Sequence, residues 1–271
     1  MDLRNYHLSN QDILLASQLL NYQPFILSDD LQTGVARSWL FGEEGGKRSG
    51  LSEWLYDRRL VSPEHWNQFV DANARLRRMY DDWIDVMAQH VPGGSLVDIG
   101  CHTCYFPICA QKKGMKESAG YDLGNYSSAV AFLNKVLGTR AHFYHGGYDY
   151  IQRIIPGCKQ YDVVVASAVL CHLPDPLNFL ACLGKIARKA VFLFTGTVES
   201  DELTIHYNSP NKFYKDRVFP YNFDDCTRLS RALLHNSMEW MGFKEMVEIP
   251  YRESWLPRKW YGSQQALLFL R

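Results

Sequence analysis

The feature that most constrains this chain is a repeated texture from Ser95 to Thr197. Short apolar runs, SLVDIG, ESAGYDL, AHFYHGG, YDVVVASAVL and KAVFLFTGT, alternate with stretches long enough for a helix, such as SSAVAFLNKVLG and LNFLACLGKIAR. Strands this apolar cannot leave a face in water, so the pattern predicts a parallel sheet covered by helices on both faces. After it, CTRLSRALLHNSMEWMG reads as a helix, and FKEMVEIPY and QQALLFL as two strands with only a loop between them. That pair predicts an antiparallel hairpin on the sheet edge.

The first part of the chain has a different texture. SNQDILLASQLL, residues 9–20, opens with Ser9 and Asp12 in capping-box spacing and predicts a short helix. From Pro24 to Gly50 the chain is loop-rich, and LFGEEGGKRSG reads as an exposed turn or flap without the strand-to-helix context of a phosphate loop. Between Pro63 and His90, residues Phe69, Leu76, Tyr80, Trp83 and Met87 fall on one helical face until Pro92-Gly93-Gly94 ends the pattern. The expected division is a mostly helical extension or cap over 1–89 and an α/β domain over 90–271.

The totals narrow the class. The chain has 271 residues, 46% hydrophobic and 21% charged, as a globular protein requires. Lys plus Arg and Asp plus Glu number 29 each, so no global field draws in nucleic acid or an anionic membrane. The polar N-terminus lacks the apolar stretch of a signal peptide, and no run is long enough to span a bilayer. Seven scattered cysteines do not suggest a disulfide framework, and a reducing cytoplasm is the simplest expectation.

LVDIGCHTCYFP is the segment that points to chemistry. In an open α/β sheet, ligands sit beyond the carboxyl ends of strands where the strand order reverses. Asp98 and Gly100 close the first such strand; Asp122 closes the second, 24 residues later, where a carboxylate can accept ribose hydroxyls. Two further glycines are usual in such loops, yet His102 and Cys104 stand in their places. This disfavours a dinucleotide, whose pyrophosphate needs the glycine turn, more than a nucleoside. Side chains at these positions can also turn outward.

Taken in order, LVDIGCHTCYFP, AGYDL and YDVVVASAVLCHLPDPLNFL resemble the class I S-adenosylmethionine-dependent methyltransferases over about residues 90–271. The third segment is most similar to the branch that holds tRNA wobble-uridine carboxymethyltransferases and small-molecule methyltransferases. The resemblance implies a Rossmann-like, seven-stranded, mostly parallel sheet with an antiparallel C-terminal hairpin, and S-adenosylmethionine as cofactor. By position it implies that Asp98, Gly100 and the backbone of Cys101 and His102 face the methionine part. Asp122 would bind the ribose, Leu123, Gly147 and Tyr148 would flank the adenine, and Ser167, Ala168 and Val169 would floor the site near the sulfonium.

Other residues are weighed on their chemistry. Cys101, His102, Cys104 and Cys109 include good zinc ligands, but a second ligand pair at regular spacing is missing, so no metal site is expected. His172 follows the fourth strand and is the candidate general base; packing at a helix start is the alternative role. Residues 205–225 form a long insertion rich in aromatic and polar groups, expected to act as a lid. Within it, His206, Tyr207, Asn208, Tyr214 and Tyr221 are the candidates to touch the acceptor, with Trp39, Trp54 and Trp66 closing from the other side. The reading is methyl transfer to an oxygen or nitrogen of a small-molecule acceptor. Its rivals are a tRNA-modifying methyl or carboxymethyl transferase, for which Arg58, Arg59, Arg75, Arg77 and Arg78 are the densest basic residues, and a noncatalytic binding subunit. Nucleic acid and membrane partners are not expected; oligomeric state is left open.

Overall fold

The computed structural model describes residues 8–19, 22–42, 53–146, 159–173, 175–207, 227–258 and 264–271. Helix α1 (Asn10–Leu19) starts in a reciprocal cap: the Ser9 N–H donates to Asp12 Oδ2 at 2.9 Å, and the Asp12 N–H donates to Ser9 Oγ at 3.1 Å. The extension also holds a small antiparallel sheet, β1 (Ile26–Ser28), β2 (Leu31–Thr33) and β3 (Leu55–Asp57), which the sequence pattern did not suggest. Three-residue strands are too short to show a period of two. Helix α2 (Arg37–Phe41) lies between β2 and β3 in the chain.

Helix α3 (Pro63–His90) begins at Ser62, whose Oγ accepts from the His65 N–H at 3.2 Å, with Pro63 in the first turn. Its apolar face, Phe69, Leu76, Met79, Trp83 and Met87, is buried. Asn73 on the same helix ties it to the small sheet, since its amide donates to Thr33 O and its Oδ1 accepts from the Val35 N–H.

The main sheet contains β4 (Ser95–Ile99), β5 (Glu117–Asp122), β6 (His142–His145), β7 (Tyr161–Ser167), β8 (Ala187–Val198), β11 (Glu245–Ile249) and β12 (Gln264–Leu270), in the order β11-β12-β8-β7-β4-β5-β6. Pairings from β8 through β6 are parallel; β12 joins β8 and β11 antiparallel, so the C-terminal hairpin sits at the edge as expected. Helices α4 (Tyr105–Lys112), α5 (Ser127–Leu137) and α6 (Pro176–Ile186) supply the crossovers. Alternate residues feed two cores: Leu96, Val163 and Phe192 pack with Trp83 and Phe106, whereas Val97, Val164 and Leu193 pack with Leu180 and Leu233.

One expectation is corrected. The helix predicted over CTRLSRALLHNSMEWMG begins as strand β10 (Thr227–Ser230) and becomes helix α7 only at Arg231–Trp240. Strand β10 pairs with β8 and with β9 (Ile205–Tyr207), and the Thr227 hydroxyl donates to Leu173 O at 2.8 Å. Tertiary pairing overrides the helical pattern there, and Ser230 then caps α7 by accepting from the Leu233 N–H.

Candidate active site

Strand β4 lies between β5 and β7, so the chain leaves its carboxyl end toward one side of the sheet and returns on the other. A cavity of about 400 Å3 opens at this reversal. Gly100, His102, Asp122, Leu123, Ser167, Ala168, Val169 and His172 all line it. Asp98 and Cys101 are buried beside the same loop and are not among the lining residues. Gly147 and Tyr148 lie outside the described residues; their neighbour Gly146 is on the wall.

The loop keeps a glycine-like path without the glycines. His102 and Cys104 adopt φ of 51° and 66°, the left-handed region that costs a residue with a Cβ roughly 1–2 kcal/mol. Such strain persists only when its surroundings hold it. The N–H groups of Gly100 and Cys101 both donate to Tyr121 O, and the His102 N–H donates to Asp122 Oδ2 at 2.7 Å. Asp122 Oδ1 accepts from the Gly124 N–H at 2.8 Å. At Gly100 (φ 80°) a Cβ would lie 2.4 Å from Val169 Cγ2, so only glycine permits this approach of loop to wall.

The cysteines turn inward rather than outward. Their sulfurs lie 3.5 Å apart over Gly120, where a Cβ would come within 2.4 Å of Cys101 Sγ and 2.6 Å of Cys104 Sγ. Burial, and then the Cys104 neighbour, push the Cys101 thiol well above its usual range. Among the described residues no three His, Cys, Asp or Glu side chains are grouped to hold a metal ion.

One functional contact escaped the sequence reading. Gln23, from the extension, donates its amide to Cys101 O at 2.9 Å, and its Oε1 accepts from the Thr103 hydroxyl at 2.5 Å and the Tyr105 N–H at 3.1 Å. It clamps the strained loop from 78 residues away. No local signal marks a glutamine for this task.

The electrostatics leave polar capacity unspent. Among the described residues Asp98 Oδ1, His102 Nδ1 and His172 Nδ1 are buried without a hydrogen-bond partner, which is costly unless a ligand supplies one. Burial, reinforced by the charge of Asp122, holds the Asp98 carboxyl well above the usual carboxylate range. Burial lowers the His102 pKa against the opposing pull of Asp122, and the imidazole stacks on Tyr126 with ring centroids 4.2 Å apart. His172 ends a 3-10 turn (Leu170–His172) that Thr227 braces from β10.

A second cavity, of about 200 Å3, adjoins the first at Ala168, which lines both. Trp39 and Trp54 are on its wall, whereas Trp66 packs with Tyr56 and Phe69 in a core cluster. His206 and Tyr207 lie on β9, lining neither cavity; His206 Nε2 pairs with the Thr204 hydroxyl at 3.0 Å. Asn208, Tyr214 and Tyr221 lie outside the described residues.

Comparison with known proteins places this architecture. A family model described as a methyltransferase domain matches residues 72–246. A ubiquinone biosynthesis O-methyltransferase of Burkholderia thailandensis is 28% identical over 139 residues, 49% of this chain and 58% of the relative. The namesake from Burkholderia vietnamiensis is 24% identical over 172 residues, covering 61% of this chain and 72% of its own. The chain thus spans little more than half the length of the first of these relatives. An O-methyltransferase family protein from Burkholderia thailandensis superposes with a TM-score of 0.52 at 14% identity, over 79% of this chain and 62% of that one. The N-terminal domain of EvdMO1 with SAH bound gives 0.51 at 14% identity, over 77% and 83%. Both structural likenesses show the fold.

Proposed function

The chain belongs to the class I S-adenosylmethionine-dependent methyltransferase family, and we propose that it transfers a methyl group from S-adenosylmethionine to an oxygen or nitrogen of a small molecule. The observation that carries this reading is the cavity at the β4/β7 reversal, where Asp122 stands at the wall and the lining residues His102 and His172 each have a buried ring nitrogen without a partner among the described residues. Similarity to O-methyltransferases favours oxygen as the acceptor atom.

The residues present fit such a cofactor. Asp98, buried behind lining residue Gly100 in the chain, has an Oδ1 without a partner among the described residues that an ammonium group reaching past the loop would satisfy, and Asp122, though it accepts two N–H bonds, keeps lone pairs for ribose hydroxyls. Gly100, without a Cβ, lets the loop close onto Val169, and both residues line the cavity that the cofactor would enter. Leu123, 47% exposed, offers an apolar surface to a base.

When bound, the cofactor supplies an electrophilic methyl carbon on a sulfonium. The protein's part is alignment, and the Gln23 clamp and the Asp122 bonds to the loop hold the wall rigid for it. An acceptor hydroxyl must also lose a proton. His172 Nδ1, without a protein partner, is an acceptor for that proton when the imidazole carries its own on Nε2. Three of the five arginines considered for RNA, Arg58, Arg59 and Arg75, pair with Asp30, Asp57 and Asp71, which favours a small acceptor.

The test is titration with S-adenosylhomocysteine, the demethylated product, followed by label transfer from S-adenosylmethionine to a small-molecule panel and to bulk tRNA. One site per chain is expected. Asp122→Ala should weaken it by about 2–3 kcal/mol, roughly 30- to 150-fold; unchanged affinity would remove the ribose assignment. Label entering tRNA and no small molecule would overturn the acceptor class. His172→Ala should lower turnover at least tenfold; near-normal rates would leave alignment alone to carry the reaction.

A further inference from the structure

Building on the cofactor cavity assigned above, we propose that the adjoining cavity receives the acceptor, and that this acceptor is an uncharged, planar aromatic molecule of one or two rings. Position gives the first support. Ala168, at the carboxyl end of β7, lines both cavities, so a molecule in the second meets the first at the floor residue. Ala168 holds φ of 56° there, a left-handed backbone that L-residues rarely adopt and that clusters at ligand sites.

Size sets the scale of the occupant. An apolar cavity of about 150 Å3 in another protein takes up benzene. About 200 Å3 therefore admits one substituted ring or two fused ones.

Wall chemistry selects the class. Tyr22, Trp39, Trp54, Tyr80 and Phe194 present aromatic rings. Among the described residues no Lys, Arg, His, Asp or Glu lines it, so these walls offer a charged acceptor no ionic partner for its desolvation. The polar groups on the wall are neutral: the Gln264 amide and the hydroxyls of Tyr22 and Tyr80. Desolvation raises the Tyr80 pKa, so this hydroxyl stays protonated and can donate to a ring substituent.

Aromatic walls also suit quaternary ammonium ions, and the ring geometry separates the two cases. A cation needs rings standing apart around it. Here Tyr22 and Trp54 pack on each other at a centroid distance of 4.0 Å, and Trp39 meets Trp54 edge-on at 6.2 Å. The rings form a continuous wall, against which another ring can stack. Tyr22 and Trp39 are still 48% and 46% exposed, leaving apolar surface that an aromatic ligand would cover. Tyr22 too is held at a positive φ, 53°.

The test uses calorimetry on the full chain saturated with S-adenosylhomocysteine, with three probes: naphthol, the matching naphthoate and tetramethylammonium. Naphthol should bind one per chain, naphthoate at least tenfold more weakly, and tetramethylammonium not at all. Trp54→Ala and, at a more exposed position, Trp39→Ala should each weaken naphthol at least tenfold while S-adenosylhomocysteine affinity stays within twofold, which also reports that the variants fold. The proposal is overturned if naphthol fails to bind, if naphthoate or tetramethylammonium binds as tightly, or if neither tryptophan variant moves the naphthol affinity. Failure of S-adenosylhomocysteine itself to bind would strike the cofactor reading instead, and the proposal with it.

Discussion

On one side of Ala168 the cavity walls carry hydrogen-bonding groups that the described residues leave unpaired; on the other they carry ring faces. The first region has two such imidazole nitrogens, a loop with left-handed residues and, beside that loop, the buried Asp98 carboxyl. Each of these costs stability, and the surrounding structure offsets it through Gln23, Asp122 and the close approach at Gly100. The second region has left-handed residues of its own, Tyr22 and Ala168, but its Leu76, Met79 and Phe194 belong to the hydrophobic core that α3 forms with the sheet. Both sites hold backbone strain, and the polar one carries the desolvation of its buried polar groups as well.

Gly100→Ala should separate the two regions most sharply. Its Cβ would overlap Val169 in a backbone that already disfavours a side chain. Strain and overpacking of about 2–4 kcal/mol should lower S-adenosylhomocysteine affinity on the order of 100-fold and lower the melting temperature. Naphthol affinity should change far less. An equal loss of both in calorimetry would mean that the cavities act as one.

Asp98→Asn tests whether the polar region trades stability for binding. Because burial raises the Asp98 pKa, the native state holds this proton longer than the unfolded chain does. Stability attributable to the group therefore falls as pH rises above the ordinary carboxylate value of about 3.9. The Asn variant should be more stable than the parent by about 1–2 kcal/mol at neutral pH, with the gap closing toward pH ~4, yet bind S-adenosylhomocysteine roughly 10-fold more weakly. Urea unfolding across pH checks the first part. A variant less stable than the parent at every pH would show that the buried carboxylate is not a burden.

The smallest effect belongs to His102. Its depressed pKa means that the contribution is present above the unfolded value of about 6.5 and is lost as pH falls below it. Between about pH 7.5 and 5.5 the parent should lose more melting temperature than His102→Gln. Parallel pH curves for the two proteins would remove the imidazole from the account.

Much of the polar region was legible in the sequence, because its signals are local. The apolar runs of β4, β5 and β7 each lie within a few residues of the strand ends they specify. Asp98, Gly100 and Asp122 could be assigned to strand ends for the same reason. The substitutions at His102 and Cys104 were visible too, but not their consequence: whether a side chain tolerates a positive φ depends on what clamps the loop, and the clamp comes from Gln23.

By itself, then, the amino-acid order determined the alternation of strand and helix, the edge hairpin and the acidic strand ends, since period and spacing act through near neighbours. Tertiary structure alone decided that residues 227–230 form a strand against β8 and β9 instead of starting a helix, and that Cys101 and Cys104 share the space above Gly120. It alone brought Tyr22, Trp54, Tyr80, Ala168 and Gln264 around one cavity. The physical reason is range: a cavity is the space left where distant segments fail to fill one another, and no window of sequence contains it.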